Sequence, residues 1–140
     1  MFMALTNMNL GANQQNVYKQ NSAQTASPGE LTLMLYNGCL KFISQAKTAM
    51  DENRIQDRNT ALKKAQAIVS ELMVTLKVED ETSENMMRLY DYINNRLVRA
   101  NIKNDKDILE EAEQMVIQFR NTWKQVIQAE RQRKYGGGAS

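Results

Sequence analysis

The chain has no histidine, one cysteine, one proline and six glycines in 140 residues, and aromatic residues make up only 6% of it. Each shortage excludes something. Without histidine the commonest general base is missing. A di-iron site in a helical bundle, which needs a Glu followed three residues later by a His on two helices, cannot be built either. The lone Cys39 forbids an intrachain disulfide, and within an apolar stretch it reads as a small buried hydrophobe. Proline stands only at position 28 and three glycines cluster at 136–138, so nothing punctuates the chain as a sheet protein would require. The glycine cluster also lacks the lysine and following helix of a phosphate loop. No apolar run approaches the roughly 20 residues that cross a bilayer. No signal-like segment opens the chain, so the expectation is a reducing, cytoplasmic location without direct membrane insertion.

Charge is equally uninformative about reactive chemistry. The formal net charge is +2, with Lys and Arg interspersed among acids. The densest basic cluster, Arg54, Arg58, Lys63, Lys64 and Lys77, is relieved by Asp57 and Glu71, and reads as a solvated helix face. It lacks the concentrated footprint that nucleic-acid binding needs. Glu110, Glu111 and Glu113 read as a solvated cluster near the start of a helix rather than as metal ligands. No catalytic residue, metal site or cofactor is expected, which leaves function to surface.

What the chain does contain is helix. Thr25 to Gly38, TASPGELTLMLYNG, carries the strongest start signal: Ser27 as cap, Pro28 at the first helical position and Glu30 placed for a capping box. Apolar rows then run through Leu35, Phe42 and Ala46, and through Leu33, Tyr36, Leu40 and Ile43. A helix apolar on that much of its surface is either the central member of a bundle or a core helix that shows a face to a partner. Helix one is expected over 28–51 and helix two over about 54–77, with a stripe including Leu62, Ile68, Val69 and Leu72. Helix three is expected over about 83–103, capped by Thr82 or Ser83. Helix four is expected over about 106–134, capped by Asn104 or Asp105. At about 1.5 Å per residue these helices are about 30 to 45 Å long, and short links make them antiparallel neighbours. The reading is all-α: an antiparallel four-helix bundle over 27–135, a polar arm over 1–26, and a flexible tail over 136–140. The arm is too polar to order itself alone. It is either loose or packs along the bundle through Leu10, Val17 and Tyr18.

Two separated blocks resemble one family. TASPGELTLMLYNG, with Tyr18 and Asn21 upstream, and LYDYINNRLVRANIKND from Leu89 to Asp105 are similar to the flagellar secretion chaperones, the export chaperones of flagellin. Glu110, Glu111, Glu113 and the triplet Trp123, Lys124, Gln125 follow in register, so the resemblance spans roughly residues 18 to 127. Asn37, where the family commonly has an aspartate, and Cys39, where it often has a small residue, are mild departures.

The resemblance implies a cytoplasmic four-helix chaperone that binds the disordered C-terminal segment of flagellin, prevents premature polymerisation and keeps it competent for flagellar type III secretion. It also implies a second partner, the cytoplasmic domain of the flagellar export gate, and gives Tyr18 a role in partner contacts. Nine methionines suit such a task, since unbranched thioethers repack around varied apolar partners. On this reading the grooves use Leu35, Ile68, Leu72, Leu89, Tyr92 and Ile93, with Arg96 and Asn101 bonding peptide carbonyls. Leu10 and Tyr18 either touch the partner or cover a groove until it arrives. The alternative is a self-associating structural bundle whose apolar surface is a homodimer interface.

Overall fold

The computed structural model describes residues 27–136, which form four α-helices with no strand among the described residues. We number them α1 (Pro28–Asp51), α2 (Ile55–Thr75), α3 (Glu81–Lys103) and α4 (Lys106–Gly136). The expected arm, including Leu10 and Tyr18, and the last four residues of the tail lie outside the described residues.

Each boundary has a local cause. The Ser27 hydroxyl accepts the Glu30 amide at 3.2 Å, and Pro28 needs no amide partner in the first turn. The Glu30 carboxylate does not close the expected capping box; it pairs with Arg131 of α4 at 2.7 Å. Asn53, with φ 55°, turns the chain between α1 and α2. The start of α3 corrects the expectation by two residues. Asp80, not Thr82 or Ser83, is the cap, accepting the Ser83 amide at 2.8 Å. Ser83 stands third in the helix and returns the favour, its hydroxyl accepting the amides of Asp80 at 3.0 Å and Glu79 at 2.9 Å. A carboxylate in extended backbone, followed three residues on by a hydroxyl, satisfies more orphan amides than either hydroxyl could as cap. Asn104, left-handed with φ 51°, ends α3, and the Asp105 carboxylate accepts the first amides of α4.

The helices form an antiparallel ring in which α1 packs on α2 and α4, and α3 packs on the same two. Diagonal contact comes from the buried hydroxyls of Tyr36 and Tyr90, which hydrogen-bond across the centre. At Gly38 the side chain of Ile68 from α2 packs against α1: a methyl group there would sit 3.2 Å from the Ile68 Cδ1. Ile43, Leu62, Leu97 and Leu109 are fully enclosed, each stabilising the fold by about 1.5–3 kcal/mol through burial.

This core is not equally deep along the bundle. In α4 the row Leu109, Ala112 and Val116 is buried, whereas Phe119 and Trp123 are half-buried and Val126 is exposed. In α3 the same change occurs from Tyr90, which is buried, to Met86 and Leu89, which are not. The seam between α3 and α4 is therefore closed at the end near their link and open at the other.

Candidate binding groove between α3 and α4

The open half of that seam is a groove of about 390 Å³. Its floor is Tyr36, with Phe119 stacked on it at a centroid distance of 5.9 Å and packed against Tyr90 at 5.2 Å. Three interlocked rings, tied by the Tyr36–Tyr90 hydrogen bond, make a floor with little freedom to move. Burial raises the pKa of both phenols, so they remain neutral donors and acceptors through ordinary pH. The walls are softer. Met86 and Leu89 stand on α3, Met115, Trp123 and Val126 on α4, and Gln118 and Thr122 form a polar rim. Methionine on both walls lets the groove adapt to apolar side chains of varied shape.

Both ends are fixed by polar contacts. At the closed end the Tyr92 hydroxyl donates to Glu111 at 2.7 Å, joining α3 to α4. That bond to Glu111 raises the Tyr92 pKa. Arg96 lies over the Tyr92 ring at 5.2 Å and 3.8 Å from the Glu111 carboxylate. Its Nε, like the Asn94 Oδ1, is buried without a hydrogen-bond partner among the described residues. At the open end the Trp123 Nε1 donates to the Gly29 carbonyl at 2.7 Å, fastening α4 to the first turn of α1.

The residues expected from sequence fall into three groups. Leu89 and Tyr92, 43% and 41% exposed, belong to the groove and its closed end, and Arg96 lies beside them. Leu35, Ile68, Leu72 and Ile93, at 9%, 4%, 3% and 1%, are members of the central core and present almost no surface. Their helical spacing is the spacing of a core row, which periodicity alone does not separate from a groove row. Asn101 is occupied: it donates to Asn59 at 2.7 Å and accepts from Arg58 at 3.1 Å, joining α3 to α2.

The α4 wall is not among the residues expected from sequence. Met115, Phe119, Trp123 and Val126 read as an ordinary core row, because nothing in their spacing reveals where α3 stops covering them. The available signal was Trp123, whose indole N–H requires a partner when buried.

Cys39 is fully enclosed, and burial pushes its thiol up to about 12. Among the described residues no three Cys, Asp or Glu side chains come together as metal ligands. No described helix is long and apolar enough to cross a membrane. A second hollow, about 360 Å³ between α1 and α2, is lined mostly by polar residues; its Arg54 is already engaged by Glu52 and Asp57.

Fold and surface together define a class: an antiparallel four-helix bundle with a methionine-lined apolar groove open to solvent. Known sequences narrow it. The family described as "Flagellar protein FliS" matches residues 11–130, and the chain belongs to that family. The Flagellar secretion chaperone FliS of Bacillus subtilis (strain 168) is 52% identical over 126 residues, covering 90% of this chain and 95% of the relative. The protein of the same name from Campylobacter jejuni is 34% identical over 113 residues, 79% of this chain and 88% of the relative. That from Escherichia coli (strain K12) is 33% identical over 111 residues, 77% and 82% of the two chains.

Proposed function

We propose that this protein is a cytoplasmic, non-enzymatic export chaperone that binds the disordered C-terminal segment of flagellin through the α3–α4 groove. Holding that segment would block premature polymerisation and keep the subunit competent for flagellar type III secretion. The observation that carries the reading is the groove itself, an adaptable apolar channel on a rigid aromatic floor, in a chain of the FliS family. Leu89 and Tyr92 would contact the segment directly, and Arg96, whose buried Nε has no partner among the described residues, would bond a peptide carbonyl on turning from the Tyr92 ring toward the segment. Leu35, Ile68, Leu72 and Ile93 would take part only if the segment parts the helices. Asn101 would do so only by exchanging its bond to Asn59 for one to the segment. The cytoplasmic domain of the export gate is the proposed second partner, engaged when chaperone and cargo are together.

Leu10 and Tyr18 are assigned to the same task. Ser27, from which α1 starts, stands two residues before the carbonyl that Trp123 holds, beside the open end of the groove. Leu10 and Tyr18 would either touch the segment or cover the groove until it arrives. If they cover it, deleting Met1 to Val17 should strengthen flagellin binding or leave it unchanged, and a loss of affinity would refute a covering role.

Isothermal titration against a C-terminal flagellin peptide of about forty residues tests the main reading. Coupled folding on an apolar groove predicts one-to-one binding with a large negative heat-capacity change. No heat at several temperatures, together with a mass that rises with concentration, would favour the homodimer reading, in which a second copy covers Leu89, Tyr92 and Val126.

A further inference from the structure

Trp123 is the only tryptophan of the chain, and it belongs to two structures at once. Its ring forms part of the α4 wall of the groove. Its Nε1 donates at 2.7 Å to a carbonyl 94 residues earlier, in the first turn of α1. The first turn of a helix is its least secured part, because its leading amides have no partners within the helix. Here the Ser27 cap is local. The other tie to α4, between Glu30 and Arg131, joins two exposed side chains, an arrangement that water screens heavily. Ile127 of α4 also packs beside Gly29, and the indole bond is the main polar tether between the start of α1 and the body of the bundle.

We propose that Trp123 couples occupation of the groove to the order of the first turn of α1: a segment seated in the groove tightens the start of that helix. The proposal rests on the groove being the flagellin site. Trp123 is partly exposed, so water can compete with the carbonyl for its indole N–H. An apolar segment lying on the ring excludes that water and lowers the local dielectric, which strengthens the bond. It also restricts rotation of the ring about the side-chain bonds that would carry Nε1 away. Linkage returns the effect, so a tightened first turn raises the affinity of the groove for its segment by the same factor. Trp123 is in this sense a positioning residue as well as a wall.

The test is amide exchange at Leu31, Thr32 and Leu33, read by NMR in the intact chain and in Trp123→Phe, each with and without the flagellin peptide. Phe keeps an aromatic wall and removes only the N–H donor. In the intact chain, saturating peptide should slow exchange about three- to tenfold, the range of one hydrogen bond. In free Trp123→Phe these amides should exchange faster by a similar factor while the rest of the bundle is unchanged. Peptide should still bind the variant, but slow its exchange less than about twofold. Unchanged exchange in the free variant, or slowing that survives in it, overturns the proposal. Binding to the intact chain without slowing overturns the coupling alone. Absence of binding heat overturns the flagellin reading, and the coupling with it.

Discussion

Cys39 and the tyrosine pair show how single residues hold this bundle without acting chemically. The Cys39 thiol, normally near 9, is raised to about 12 by burial. Between those values the unfolded chain releases a proton that the folded chain keeps, so stability is complete below pH 9 and falls as pH rises toward 12. By pH 10 the loss from this thiol should be about 1 kcal/mol. Urea unfolding at pH 8, 9 and 10 should show it, and Cys39→Ala should remove that portion of the slope. The Tyr36 and Tyr90 hydroxyls satisfy one another, so Tyr90→Phe should cost about 1–3 kcal/mol by orphaning the Tyr36 hydroxyl. Tyr36→Phe in the same chain should recover part of that loss, since neither polar group then remains. Additive costs in a double-mutant cycle would show that the bond contributes nothing beyond ring packing.

At the scale of the element, the starts of α1, α3 and α4 are specified by side-chain caps at Ser27, Asp80 and Asp105, whereas Arg54 gives α2 no such cap. Ser83→Ala removes the acceptor for the amides of Glu79 and Asp80. It should destabilise the protein by about 1–2 kcal/mol, measured by urea unfolding. Exchange should accelerate at the α2–α3 link before the core responds. The bond from the Ser83 amide also lowers the Asp80 pKa. That contribution is present above the usual carboxylate range and is lost as pH falls through the depressed value. Gly38→Ala tests the α1–α2 contact. Alanine favours the helix by up to about 1 kcal/mol, but its methyl meets the tip of Ile68 at 3.2 Å. Because that neighbour is the end of a flexible side chain, the change should be within about 1 kcal/mol of neutral. Gly38→Leu should separate the helices and lower the melting temperature clearly.

For the whole molecule, stability and binding should separate, because the groove walls lie where the core is shallow. Leu89→Asp and Val126→Asp alter residues that are 43% and 39% exposed. Thermal unfolding should shift little, as for surface substitutions within about 0.5 kcal/mol. Flagellin affinity should fall about tenfold or more, the cost of a carboxylate left in an apolar contact. Leu97→Ala should do the reverse, costing about 2–5 kcal/mol of stability through a cavity while leaving the groove walls in place. Parallel titration and melting curves on the three variants check both halves; equal loss of stability and binding in all three would mean that groove and core are one cooperative unit.

Composition, periodicity and capping residues by themselves determined an all-α chain, four helices within two or three residues of their observed ends, and antiparallel packing. These are local properties: a serine before a proline, an apolar row at helical spacing and a short link act over one or two turns of chain. The two blocks quoted above also sufficed for the family resemblance. The location of the groove was decided only by tertiary structure. Ile93 and Leu89 lie four residues apart on one helix, yet one is 1% exposed and the other 43%. The difference arises from what α4 places opposite each of them. Likewise, Arg131 reaching Glu30, Asn59 holding Asn101 and Trp123 holding Gly29 are bonds between residues more than 40 positions apart. Such pairings depend on how four helices are offset along one another, which is settled by side chains meeting across seams rather than by any one helix.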